Sequence, residues 1–147
     1  MKKLVVIVSL VLAGCAAPPP ATVQASVAAP PLERVSVDDL RGGEWVVTAI
    51  DGVDTITAPA PLLRWAGSDT VGGTGGCNNF VGRFTLTGDQ IALGPLASTR
   101  MACMASPQGQ EDKFFNALEK TRKARMDGKV LLLTDDTDRV LLRLHRP

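Results

Sequence analysis

The sequence predicts an α+β domain, mainly antiparallel β, in which a meander of short strands carries one helix. Three observations predict it. Apolar side chains alternate with period two through most of residues 36–147, as half-buried strands require. Gly, Pro and Asp signals break these runs at short intervals, as strand connections do. A single stretch, residues 107–125, changes to helical spacing. The chain has 147 residues, 45% of them hydrophobic, which suits one domain.

The N-terminus reads as an address. Lys2 and Lys3 precede an apolar run from Leu4 to Ala13 broken only by Ser9. Ten helical residues span about 15 Å, half of a hydrocarbon core, so the run suits a signal peptide over residues 1–14 and is too short for a permanent anchor. Leu12-Ala13-Gly14-Cys15 resembles the bacterial lipobox, in which the cysteine is acylated and becomes the mature N-terminus. Cys15 is therefore the expected lipidation site, and two or three acyl chains hold a protein stably where one does not. An Asp directly after that cysteine commonly retains such lipoproteins in the inner membrane. Ala16 stands there, so the expected location is the outer membrane, facing the periplasm. Residues 15–35 are rich in Ala and Pro, with Pro18-Pro19-Pro20 and Pro30-Pro31, and read as an extended tether of polyproline character.

The strands follow in order. Residues 44–50 place Trp45, Val47 and Ala49 on one face, and Asp51-Gly52 is a turn pair of the type I′ kind. Residues 62–66 bring Leu63 and Trp65 together after Pro59-Ala60-Pro61; residues 80–86 alternate Phe80, Gly82, Phe84 and Leu86 against Val81, Arg83 and Thr85. Gly88-Asp89 turns the chain into residues 90–93. At the end, residues 129–134 and 139–146 flank Asp135-Asp136-Thr137-Asp138, a hairpin loop. The helix is expected from Pro107 to Arg125, with Ser106 as N-cap, Glu111 and Asp112 in its first turn, and Phe114, Phe115 and Leu118 as its apolar stripe. Lys120, Arg122, Lys123 and Arg125 then complement the negative end of its dipole, as a solvated face.

These residues carry a resemblance. Leu40-Arg41-Gly42-Gly43-Glu44-Trp45, then Gly75-Gly76-Cys77-Asn78-Asn79-Phe80 with Gly82 and Phe84, then Ser98-Thr99-Arg100-Met101-Ala102-Cys103 ahead of Glu111, Phe114 and Phe115, look like the META domain, the family of the heat-shock lipoprotein HslJ. The likeness covers nearly all of residues 36–147, and departs where Ala124-Arg125-Met126 lacks an aromatic residue. It implies a small curled sheet or partly open β-barrel with one helix packed across it, and a role in heat-shock or novobiocin tolerance at the envelope.

With Cys15 acylated, Cys77 and Cys103 remain. An oxidising periplasm favours a disulfide between them, stabilising by about 3.5 kcal/mol in the chain-entropy account; two buried free thiols are the alternative. The pair has no CxxC spacing, and two sulfurs with a distant His do not complete a zinc site, so no metal and no cofactor is expected. The run from Gly72 to Gly76 lacks the Lys-Ser/Thr of a phosphate loop and leads into a strand; its glycines are read as permitting positive φ, a bulge or close backbone approach where the sheet bends. Asn78 and Asn79 are expected to satisfy the loop's own amides. Recognition by Asn78, Asn79, Arg83, Thr99 and Arg100 is the sharper alternative, and these are the candidate binding residues. His145, the only histidine, alternates outward with Arg143, and no catalytic residue is identified. The aspartates at 135, 136 and 138 read as turn formers and not as a calcium loop.

Charge excludes one class of partner. There are 16 basic and 15 acidic residues, and loss of Lys2 and Lys3 leaves 14 against 15, a poor host for a phosphate backbone; no nucleic acid is expected. The reading is a monomeric, non-enzymatic lipoprotein that meets the membrane through its anchor and binds an envelope protein or a lipid. The alternative is a lipid-binding or pilotin-like chaperone of outer-membrane secretion components, with a cavity lined by Trp45, Trp65, Phe80 and Phe84.

Overall fold

Burial in the long strands alternates as the sequence does, and the inward faces meet in one core. The computed structural model describes residues 31–54, 58–102 and 109–147. Its elements are β1 (Glu33–Arg34), α1 (Val37–Leu40), β2 (Glu44–Ile50), β3 (Val53–Asp54), β4 (Leu62–Ala66), β5 (Thr70–Thr74), β6 (Asn79–Thr87), β7 (Gln90–Leu93), β8 (Ala97–Ser98), α2 (Gln110–Lys120), β9 (Lys123–Asp127), β10 (Val130–Thr134) and β11 (Val140–His145). All strand pairs are antiparallel, in the order β1-β9-β10-β11-β2-β4-β5-β6-β7, with β3 on β2 and β8 on β6. β7 returns to β9, so the sheet curls into a ring, though not a clear barrel.

The ring closes through a narrow seam. Gln90 lies opposite Lys123, and the Ile91 amide donates to the Arg122 carbonyl at 2.8 Å while the Ala124 amide donates to the Asp89 carbonyl at 2.9 Å. Charge reinforces it: Arg125 reaches Asp89 at 2.8 Å and Asp138 at 3.0 Å, and Lys123 reaches Asp138 at 2.9 Å.

Helix α2 lies against β11 and β2 and buries Phe114, Ala117 and Leu118. Phe80 meets Phe114 and Phe115 at ring separations of 5.7 and 5.5 Å, while Trp65 and Phe84 stack edge to face at 4.7 Å. Trp45 is anchored by its indole N–H on the Leu40 carbonyl at 2.9 Å and by the Arg146 guanidinium over its ring.

Three expectations are corrected. The helix is shorter than residues 107–125: it runs from Gln110 to Lys120 behind Gly109, whose φ of 66° is left-handed, and Ser106 and Pro107 lie outside the described residues. Thr121 leaves helical geometry with ψ at 131°, its hydroxyl donating to the Ala117 carbonyl at 2.9 Å. Lys123–Asp127 is then a strand, because Ala124 and Met126 also satisfy period two and Asp127-Gly128 starts a hairpin with β10. Second, the β2–β11 register shifts between Arg143 and Leu144. Trp45, Val47 and Ala49 are all buried, but past Thr48 the strand flips, so Ile50, opposite Leu142, joins the core cluster while Ala49 lies opposite exposed Arg143. Third, packing begins within the stretch read as tether: Glu33 and Arg34 pair with Met126 and Arg125, and Val35 is buried.

The glycine run is divided between strand and turn: Gly75 and Gly76 lie in the turn after β5. Gly72 and Gly73 lie in β5 between β4 and β6, and a Cβ on Gly73 would stand 1.9 Å from the Leu62 carbonyl oxygen. Close approach of backbones is what the position requires. Gly73→Ala is expected to lower unfolding free energy by about 2–4 kcal/mol, measured by urea denaturation; a loss below about 1 kcal/mol contradicts this packing.

Candidate functional site

The family-like motifs converge where the turn between β5 and β6 meets the start of α2. Gly75 is buried in this turn, and a Cβ there would stand 2.7 Å from Glu111 Cγ, so only a glycine lets the helix come this close. Glu111 uses the approach. One carboxylate oxygen accepts from the Asn78 amide at 2.6 Å and the Cys77 amide at 3.3 Å; the other accepts from Asn78 Nδ2 at 2.7 Å. A carboxylate facing successive backbone N–H groups makes charge-assisted bonds, stronger than neutral ones.

Asn78 carries the contact onward. Its Oδ1 accepts from the Thr99 hydroxyl at 3.0 Å and the Met101 amide at 2.7 Å, and its carbonyl accepts from the Gly75 amide at 2.9 Å. The Thr99 hydroxyl accepts from the Asn79 amide at 3.1 Å, and the Thr99 amide donates to the Asn79 carbonyl at 2.9 Å. A clasp results, joining the β5–β6 turn, the segment after β8, and α2. Cys77, inside it, is disulfide-bonded; the expected partner Cys103 lies outside the described residues, as does Cys15.

The candidate binding residues therefore divide. Asn78 and Thr99 are committed to the clasp. Asn79 contributes its backbone and leaves an exposed side chain; Arg83 is exposed and paired with Asp69; Arg100 is exposed without a charged partner among the described residues. In the sequence Glu111 has the role of a helix-start acid within the META-like motif. A carboxylate in the first turn suits the dipole on its own, so nothing in the sequence marked it as the partner of the turn.

The other candidates are scattered. His145 is exposed on β11 and remote in register from the clasp. Asp135 Oδ1 accepts from the Thr137 amide, the Thr137 hydroxyl and the Arg139 amide at 2.7–3.0 Å, the work of a turn former. Of the basic cluster, Arg122 bonds the Glu119 and Thr121 carbonyls at 2.7 Å, complementing the helix end, whereas Lys123 and Arg125 serve the ring seam. Trp45, Trp65, Phe80 and Phe84 are all at most 5% exposed and belong to the core cluster. Among the described residues no cluster of His, Cys, Asp and Glu is suited to hold a metal, and no helix is long and apolar enough to cross a membrane.

Fold and clasp together define a small curled-sheet domain whose motif residues fasten a turn to a helix. The chain belongs to the META-domain family, whose model matches residues 38–147. It is similar to a protein solved by NMR at 19% identity, with a TM-score of 0.61, 76% of this chain and 95% of that one covered. It is also similar to a protein from Burkholderia xenovorans solved by NMR, at 25% identity and a TM-score of 0.57, covering 76% and 86%. No curated protein matches.

Two predictions follow from these contacts. Asn78→Ala removes the side-chain bonds to Glu111, the Thr99 hydroxyl and the Met101 amide and is expected to cost about 3 kcal/mol, whereas Asn79→Ala changes stability by under about 0.5 kcal/mol; equal losses in urea denaturation contradict the division. The hydrogen bond from Arg125, then that from Gln90, holds the Asp89 carboxyl below its ordinary value of 3.8, and Lys123 does the same for Asp138. Folded values below unfolded ones mean that this stabilisation is complete above about pH 4 and is lost as pH falls through the folded values. Asp89→Asn is therefore expected to flatten the decline of the urea midpoint below pH 4; an unchanged acid limb contradicts the seam's role.

Proposed function

We propose that this META-domain chain is a non-enzymatic, monomeric outer-membrane lipoprotein. Cys15 is acylated, the tether lifts the domain off the membrane, and the domain binds an envelope component in the periplasm, supporting tolerance to heat and to novobiocin. Cys77 pairs with Cys103, consistent with an oxidising compartment.

The observation that carries this reading is the clasp. Glu111, Asn78 and Thr99 bring together the most polar part of the family-like motifs, and their groups are turned on one another. A catalytic constellation needs groups aimed at a substrate position; here they hold a scaffold, which suits presentation of a surface. Lipid storage inside the ring, the alternative, is disfavoured by the packing of Trp65 on Phe84 and of Phe80 on α2.

Cys15→Ala is expected to leave the chain with its signal segment uncleaved and missing from the outer-membrane fraction, read by mass and by sucrose-gradient separation of membranes. Normal processing and outer-membrane retention of that variant contradict the anchor. Deletion is expected to lower survival under heat or novobiocin; unchanged survival under both contradicts the stress role.

A further inference from the structure

We infer that the gap between β8 and α2 is a docking site for an extended peptide of a partner protein, which adds a strand to the open edge of β8. The inference rests on the binding role proposed above and names its site and the chemistry of its partner.

The gap follows from the ring's topology. One edge of β6 is shared by two strands: β7 pairs with Phe84–Thr87 and β8 with Phe80 and Val81. β9 covers the far edge of β7 at Lys123. Traced backward from there, the chain passes Thr121 and becomes the end of α2, so beside β8 a helix stands where the next strand of the sheet would be. Between them is a cleft of about 530 Å³ lined by Leu93, Leu96, Ser98, Phe115, Leu118 and Glu119.

Register decides which way the edge faces. The Thr99 amide donates to the Asn79 carbonyl, and Ala97 lies opposite Val81. In an antiparallel ladder alternate residues bond to the same neighbour, so the N–H and C=O groups of Ser98, between Ala97 and Thr99, point away from β6. They meet no backbone partner among the described residues. Leu96 and Ser98 also line the cleft, which thus has backbone donors and acceptors along one wall and apolar side chains of α2 along the other.

A peptide strand answers both walls; an acyl chain answers only the apolar one and leaves the edge unpaired. Charge specifies the peptide further. Glu119 on the cleft wall and Arg100, two residues beyond Ser98, have no oppositely charged partner among the described residues. The fitting segment carries an apolar residue with a basic and an acidic residue on either side. Residues 16–30 of this chain contain no charged residue, so the tether does not meet that requirement.

The test uses the full chain, ¹⁵N-labelled in lipid nanodiscs, titrated with the peptide acetyl-Lys-Val-Leu-Val-Asp-amide. The amides of Ser98, Phe115 and Leu118 are expected to shift. Two N-methylated versions, one blocked at Leu and one at both Val residues, are expected to differ: the version blocked on the edge facing β8 loses binding and the other keeps it. Ser98→Pro, which removes an outward N–H and no internal bond, is expected to weaken binding at least about tenfold with an unchanged melting temperature. Absence of shifts, equal binding of the two methylated peptides, or displacement of the peptide by palmitate overturns the site. Shifts at these amides that track protein concentration without peptide assign the gap to self-association, and also overturn it. The two readings fail separately. Envelope crosslinking that is equal in wild type and Ser98→Pro overturns this site and leaves the binding role standing; a wild-type chain that crosslinks to nothing under heat or novobiocin removes the binding role itself.

Discussion

The Glu111 carboxylate, seated on the backbone amides of Cys77 and Asn78, is the contact on which the arrangement depends. A tight turn leaves N–H groups that need acceptors, and α2 begins at Gly109 with no side-chain cap. A single carboxylate in the first turn of α2 meets both demands, since it neutralises the turn's amides and places negative charge at the helix start. The cost is steric: Gly75 must lack a side chain for Glu111 and Phe115 to approach. Once they do, Phe115 and Phe114 reach Phe80, and the polar clasp and the aromatic cluster hold the same helix to the same strand.

The opposite closure works on different physics. One residue pair is a weak way to complete a ring, and β7 and β9 meet only at Gln90 and Lys123. The ionic group of Asp89, Arg125, Asp138 and Lys123 surrounds that pair; Asp89, Arg125 and Lys123 are partly shielded while Asp138 is exposed, so the Arg125–Asp89 pair is the one least weakened by solvent screening. Beside this seam the sheet is interrupted by α2. Among the described residues the ring is tied at β9, whereas β8 pairs only with β6. Polar groups of the motif turn inward on each other.

Strand structure was legible wherever one face was buried and the other solvated. Leu63 and Trp65, Phe80 and Phe84, and Gln90–Leu93 fall where period two places them. Ala49 is buried as the alternation places it, but Ile50 is buried too, because the register shift at Thr48 turns the strand over and no sequence signal marks a bulge in an otherwise alternating run. Residues 123–125 fit the expected helix because Thr121 and Ala124 continue the spacing of Phe114 and Leu118, but they open β9; so short a stretch does not separate period 3.6 from period two. The two-residue strands β1, β3 and β8 are held by tertiary pairing and have no local pattern. At the site, the glycines announced close approach, and Asn78 was visible as a loop residue that satisfies amides. Its bond to Glu111 was not, since 33 residues separate them and either side chain has an ordinary local role.

A double-mutant cycle between Asn78 and Glu111, each replaced by Ala and followed by urea denaturation, tests the clasp most directly. The account predicts a coupling free energy of about 1–3 kcal/mol, with the double variant losing less than the two single losses combined. Additive losses, with coupling under about 0.3 kcal/mol, would mean that the two side chains act independently and that the motif does not fasten the turn to the helix.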